Sequence, residues 1–370
     1  NGYAGADFNS DSLTEESLHH ACLALKSDGV EHILATVITD SIDSMCQKIA
    51  TINKFRNLDP VCEKMIAGFH IEGPFLNESP GYIGAHPSNH AKFSNIDDTQ
   101  RLLDSAQGLT KLVTLAPERD PNYQVIAMLK ELGITISAGH CNPSRDKMAG
   151  AIDNGLTMFT HLGNGCPMLL ERHDNIIQRV LEISDRIWIS FIADGVHLPF
   201  PVLNNYLKII PTERAIAVTD AISAARMKSG KYTMGKWNIV IEEDGIAMSP
   251  DKSHLVGSTL TAPKIIDNLK NIAEMINNPE LLKKLENLDI KTKTSVAAFH
   301  SYNYLLAREN ITDYLPQYEK KNKIRQRLWK IRAKKVIIAT GTIERPLIFN
   351  NNDRPGILLS SAIKKYIDYF

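Results

Sequence analysis

Seven short apolar, β-branched runs, at 30–40, 65–72, 109–116, 134–140, 156–161, 187–194 and 215–220, alternate with amphipathic stretches such as 15–27, 99–106, 123–132 and 144–154. Near-continuous apolar strands interleaved with helices demand a parallel sheet covered on both faces. Seven such units without an obvious sheet edge favour an α/β architecture of the TIM-like (β/α)8 barrel type over a doubly wound sheet. The eighth strand would precede Asn1, so the barrel reads as truncated at its first strand. After Asp220 the pattern changes. Residues 231–241 and 245–248 alternate like antiparallel strands around a turn at 243–245, and HLVGSTLT at 254–261 leads into an amphipathic helix at 262–276. This predicts a small β excursion that returns to the barrel's last strand and helix.

The ends of the strands carry the chemistry. HIEGP at 70–74, SAGH at 137–140, FTHLGNG at 159–165 and VTDA at 218–221 each stop an apolar run at a carboxylate or an imidazole. Glu72, His140, His161 and Asp220 therefore fall at one end of successive strands, the barrel mouth where catalysis is built. Buried carboxylates are uncommon unless paired or metal-bound. Two imidazoles and a carboxylate suit Zn²⁺ or a similar divalent ion, with a position left for water. Asp220 is placed to move that water's proton, its bland alternative being a helix N-cap. Among loop residues, His86, Asn164, Gly165, Arg172 and His197 can line a pocket for an anionic substrate. His19, His20, His32, His70, His90, His173, His254 and His300 read as structural or surface groups.

Bulk properties narrow the rest. At 43% apolar and 23% charged, with a formal net charge of zero, the 370 residues point to neither nucleic acid nor a membrane surface. No run is long enough to span a bilayer. Five cysteines, odd in number and without a CxxC pair, fit a reduced cytoplasmic protein.

Residues 1 to about 276 resemble N-acetylglucosamine-6-phosphate deacetylases of the amidohydrolase superfamily. The resemblance rests on NGYAGADFN, HIEGPF, GAHP, GH at 139–140, THLGNG, ADGVH, VTDA and VGSTLT, in that order. It implies a metal-dependent barrel that hydrolyses the 2-acetamide of a phosphorylated amino sugar. Glu72, His140 and His161 would bind the metal, zinc before iron, manganese or cobalt, and Asp220 would be the acid/base. Ala85, His86, Asn164, Gly165, Asp194, His197, Leu255, Val256 and Gly257 would contact the sugar and its acetyl group, and Arg172 the phosphate. A homodimer is the implied assembly. Asn164-Gly165-Cys166 and the following ERHDN depart from the usual pattern and mark a divergent branch.

Residues 277–370 form a second segment. RQRLWKIRAKKVIIATGTIERP and NNDRPG resemble the FAD/NAD-binding α/β module of the sarcosine oxidase alpha subunit. No G-x-G-x-x-G loop occurs in the chain, so neither FAD nor NAD is expected to bind. A flavin-dependent oxidoreductase fragment, or an inactive fusion, is the competing expectation.

Overall fold

The computed structural model describes residues 1–234, 237–243, 245–251, 255–275, 294–300, 304–312 and 324–332. Two compact units divide the chain, Asn1–Thr292 and Lys293–Phe370. The first opens with a small hairpin, β1 (Gly2–Tyr3) and β2 (Ala6–Asp7), and then alternates. Its order is α1 (Glu15–Ser27), β3 (Ile33–Ile38), α2 (Ile42–Leu58), α3 (Pro60–Met65), β4 (Ile66–Glu72), α4 (Ile96–Ser105) and β5 (Thr110–Leu115). There follow α5 (Gln124–Glu131), β6 (Thr135–Ala138), α6 (Arg145–Asn154), β7 (Met158–Phe159), α7 (Ile176–Glu182), β8 (Trp188–Ile192), α8 (Phe200–Ile209) and β9 (Ala215–Val218).

Strands β3 to β9 form one sheet in sequence order, every pair parallel. All seven expected runs are strands of this sheet, which curls into a half-barrel. As expected of a barrel lacking its first strand, among the described residues the sheet has seven strands, with β3 and β9 at its edges. Residues 1–9 tie the two edges together at the functional end. The Asn9 amide accepts from Ile38 N–H at 2.9 Å and donates to Thr36 C=O at 3.1 Å, so it pairs edge strand β3 as a neighbouring strand would. On the other side, Gly2 N–H donates to Ala221 C=O and Gly5 N–H to Ser223 C=O, just beyond β9.

Local sequence explains why the helices start where they do. Thr14 and Ser17 form a reciprocal capping box ahead of α1, and Ser41, Asn95 and Ser144 cap α2, α4 and α6 through their side chains. Leu18, Ala21, Cys22 and Leu25 form the buried stripe of α1. On β4, Phe69 and Ile71 are buried in the apolar core, while the alternate residues His70 and Glu72 share the opposite face. That second face is polar. His70 Nε2 contacts Thr114 Oγ1 at 2.8 Å, and hydroxyl bonds run on from Thr114 to Thr160 at 2.9 Å and from Thr160 to Ser137 at 2.7 Å. His70 is thus the structural histidine expected from the sequence, one layer below Glu72.

After β9 the excursion is a three-stranded antiparallel sheet of β10 (Gly230–Met234), β11 (Trp237–Ile241) and β12 (Ala247–Met248). The expected single strand at 231–241 is corrected to a hairpin, with Gly230 paired to Ile241. Leu255 and Ser258 form isolated bridges to Met248 and Ala221 rather than a last barrel strand. Helix α9 (Ala262–Met275) follows, and Asn268 on it donates to Ala193 C=O at 2.9 Å. The described part of the second unit is an antiparallel meander of β13 (Thr294–His300), β14 (Tyr304–Asn310) and β15 (Gln326–Arg332). The motifs at 336–346 and 351–356, and His254, lie outside the described residues. No helix among the described residues is long and apolar enough to cross a membrane.

Candidate metal centre

Glu72 is the last residue of β4, and His140, His161 and Asp220 each stand two residues past the end of β6, β7 and β9. The last three have φ of 49°, 36° and 45°, left-handed backbone for non-glycine residues. Each such residue costs on the order of 1–2 kcal/mol, and this kind of strain concentrates where a side chain must be aimed. What is aimed is consistent. His161 Nε2 lies 3.3 Å from Glu72 Oε1, and His140 Nε2 lies 3.5 Å from the same oxygen. One ligand atom from each of the three residues falls within 4.8 Å of the others, and all three side chains are buried.

Hydrogen bonds behind the rings set which nitrogens face the centre. His140 Nδ1 donates to Tyr82 C=O at 2.8 Å, so it is Nε2 that is turned towards Glu72. The ring is held on both sides by glycine backbone: a β-carbon on Gly84 would stand 3.0 Å from His140 Cε1, and one on Gly165 2.8 Å from His140 Nδ1. Both glycines have positive φ. His86 joins the cluster from its loop, with Nε2 4.0 Å from Glu72 Oε1 and its ring centroid 4.4 Å from that of His140. Thr39 donates its hydroxyl to Glu72 C=O and accepts from His86 Nδ1 at 2.9 Å, which again leaves a bare Nε2 facing inwards.

The charges follow. Burial alone would raise the Glu72 pKa, but hydrogen bonds from His140 and His161 and the nearby imidazoles His86 and His70 hold it well below the usual carboxylate range. Burial, reinforced by His140, pushes His86 down to about 3, so it is neutral. For His161 burial is outweighed by Glu72 and then by Asp220, which raise its pKa. Asp220 Oδ1 accepts from Asn1 Nδ2 at 2.9 Å. At this end of the sheet His161 Nδ1, Asn164 Nδ2 and Asn1 Oδ1 are buried without a hydrogen-bond partner. Unpaired groups of that kind are rare in a finished core and common at a binding site. An ionised carboxylate with two imidazole Nε2 atoms turned towards it is a ligand set that fits a divalent cation.

The remaining expected residues scatter around this centre. Asp194 Oδ1 accepts the Val196 and His197 N–H groups, while its Oδ2 pairs with His197 Nδ1 at 2.6 Å, fixing both side chains. Val256 N–H donates to Ala247 C=O, and Ser258 beside it bridges Ala221, so Leu255, Val256 and Gly257 run next to the Asp220 turn. Arg172 is exposed, and with Tyr82, Leu169, Leu170 and Glu171 it lines a shallow open pocket. Sequence reasoning missed Thr39 and the Tyr82 carbonyl, which orient the rings. A threonine just past β3 is a usable signal for the first; no side-chain signal exists for a backbone carbonyl.

No family model matches the chain. It is 26% identical over 272 residues to the N-acetylglucosamine-6-phosphate deacetylase of Lysinibacillus sphaericus, covering 73% of this chain and 68% of that protein. It is 32% identical over 268 residues to the N-acetylgalactosamine-6-phosphate deacetylase of Shewanella sp., covering 70% and 63%. Among solved structures, the N-acetyl-D-glucosamine-6-phosphate deacetylase of Mycobacterium smegmatis superposes with a TM-score of 0.67 at 25% identity, over 77% of this chain and 72% of that one. The chain spans between 62% and 68% of the length of the bacterial N-acetylglucosamine-6-phosphate deacetylases it matches. Over most of its own length, then, it is similar to these deacetylases. The matches lend nothing to the flavin-dependent alternative.

Proposed function

We propose that this chain is a metal-dependent hydrolase that removes the acetyl group of N-acetylglucosamine 6-phosphate, giving glucosamine 6-phosphate and acetate. One observation carries the reading: two inward-facing Nε2 atoms converge on one oxygen of an ionised Glu72, at the same sheet end as Asp220. A divalent cation held by Glu72, His140 and His161, zinc before iron, manganese or cobalt, would supply Lewis-acid polarisation of the acetamide carbonyl and a lowered pKa for water.

The protein's own groups do the rest. Asp220 accepts the proton of the attacking water and then returns it to the departing sugar nitrogen. The Asn1 amide on Oδ1 keeps the carboxylate in one rotamer and leaves Oδ2 for that transfer. The unpaired Nδ2 of Asn164 is a donor for a sugar or acetyl oxygen. His197, oriented by Asp194, offers its Nε2 to a hydroxyl, and Ala85, His86, Gly165, Leu255, Val256 and Gly257 complete the sugar's surroundings. Arg172 would hold the phosphate with charge-assisted hydrogen bonds. Cytoplasmic location belongs to the proposal, since all five cysteines are free, and so does a homodimer, supported by fully exposed Met168 and Leu169 near Arg172.

The test is acetate release from N-acetylglucosamine 6-phosphate by metal-loaded protein, with the galactosamine isomer alongside to read sugar preference. The Asp220→Asn variant keeps the side chain's size and its acceptor for Asn1. It should lose roughly 10²–10⁴-fold in kcat while retaining bound metal. Equal turnover in the variant would remove Asp220 from the reaction.

A further inference from the structure

Helix α1 and the start of α3 carry a second convergence of metal-binding side chains, separate from the sheet end. His19 and Cys22 are three apart on α1 and so face the same way, and Asp59 and Cys62 are three apart at the N-terminus of α3. The sequence thus places an H-x2-C pair against a D-x2-C pair, of which His19, Asp59 and Cys62 bring their ligand atoms together. Asp59 uses Oδ1 to cap α3, accepting from Val61 N–H at 2.8 Å. Its Oδ2 is directed away, paired with His19 Nδ1 and 3.4 Å from Cys62 Sγ.

The nitrogen, oxygen and sulfur lie within 4.8 Å of one another. Zinc–ligand bonds of about 2.0–2.3 Å put neighbouring ligands about 3.3–3.8 Å apart, so side-chain rotations of about 1 Å would close the set. Burial grades across the site. Cys22 and Cys62 are fully buried, Asp59 is 11% exposed and His19 is 42% exposed, so solvent reaches the site past the imidazole. The neighbouring Cys22 thiol, burial and the Asp59 charge together push the Cys62 pKa up.

We propose that His19, Asp59 and Cys62 form a structural site for zinc or a similar thiophilic divalent ion that fastens α1 to α3. On binding, the Cys62 S–H bond is replaced by a sulfur–metal bond and the proton passes to solvent past His19. The mixed nitrogen, oxygen and sulfur set favours zinc or cobalt over magnesium or calcium. This assignment does not depend on the reaction at the sheet end.

Cobalt separates the two centres, because the Glu72 cluster has no sulfur ligand. Metal-stripped full-length protein titrated with Co²⁺ should develop a thiolate-to-cobalt charge-transfer band in the near ultraviolet. Cys62→Ser should abolish that band while leaving acetate release and the cobalt bound at the Glu72 cluster unchanged. His19→Ala, which removes the imidazole at the solvent-facing edge of the site, should move the band's midpoint to higher cobalt by roughly tenfold or more. A titration with no charge-transfer band overturns the proposal, as does a band that persists unaltered in His19→Ala or in Cys62→Ser.

Discussion

Replacing Gly165 by alanine should loosen metal binding without touching a ligand. A β-carbon there stands 2.8 Å from His140 Nδ1 and 3.1 Å from Cε1, against about 3.4 Å for ordinary contact, so the ring must retreat by about 0.6 Å. That movement strains the 2.8 Å hydrogen bond from His140 Nδ1 to Tyr82 C=O, which fixes the ring's tautomer and direction. Disturbing such a supporting bond costs about 10–100-fold in metal affinity, or about 1.4–2.7 kcal/mol. Alanine at φ +62° adds about 1–2 kcal/mol of backbone strain to folding itself. Gly108 separates the two effects. It sits at φ +81°, and a β-carbon there would have no atom within 4 Å, so Gly108→Ala meets the backbone strain alone. Competition of Zn²⁺ between each variant and a chromophoric chelator, alongside thermal melts, gives both quantities. The expected result is lowered stability in both variants and weakened metal binding only in Gly165→Ala. Wild-type metal affinity in Gly165→Ala, or equal loss in Gly108→Ala, would refute the reasoning.

Other outcomes follow from single contacts. Burial would raise the Asp40 pKa, but the Lys48 ammonium at 2.7 Å and donors from Ser41 and Ser44 outweigh it and hold the carboxyl at about 2. A depressed folded pKa contributes stability above the unfolded value of 3.8, so roughly 2 kcal/mol should be lost as pH falls from about 4 to 2. Denaturant unfolding across that window should show this slope in the wild type and not in Asp40→Asn; parallel slopes would contradict it. Arg172→Ala should raise KM for the phosphorylated sugar by roughly tenfold with little change in kcat, and an unchanged KM would move the phosphate elsewhere. Thr14→Ala removes the side-chain acceptor for Ser17 N–H, one half of the α1 capping box, and should cost about 1 kcal/mol in chemical denaturation, with no loss if α1 is held by packing alone.

The strand pattern and the strand ends were legible because both are local. An apolar run of β-branched residues that stops at Glu72, His140, His161 or Asp220 states its own direction, and parallel order puts those ends together. What could not be read depends on contacts between distant segments. His86 reaches Glu72 only because its loop folds back over β4, with Thr39 holding the far side of the ring. The hydroxyl network of Thr114, Ser137 and Thr160 looks in sequence like ordinary strand composition and becomes a polar layer only once the sheet curls. The seam pairing by Asn9 uses one side-chain amide to imitate a strand's backbone, a role nothing in its neighbourhood announces. Helices α2, α3, α7 and α8 went unnamed because their buried faces are short or interrupted by polar residues, such as Lys48 and Asn53 on α2.

The most direct test of the central claim is anomalous diffraction from crystals of zinc-loaded protein, recorded on either side of the zinc absorption edge. The account predicts a peak within bonding distance of Glu72 Oε1, His140 Nε2 and His161 Nε2 together. A fully loaded crystal with no peak at that point, or with a peak bonded to only one of the three residues, would contradict it.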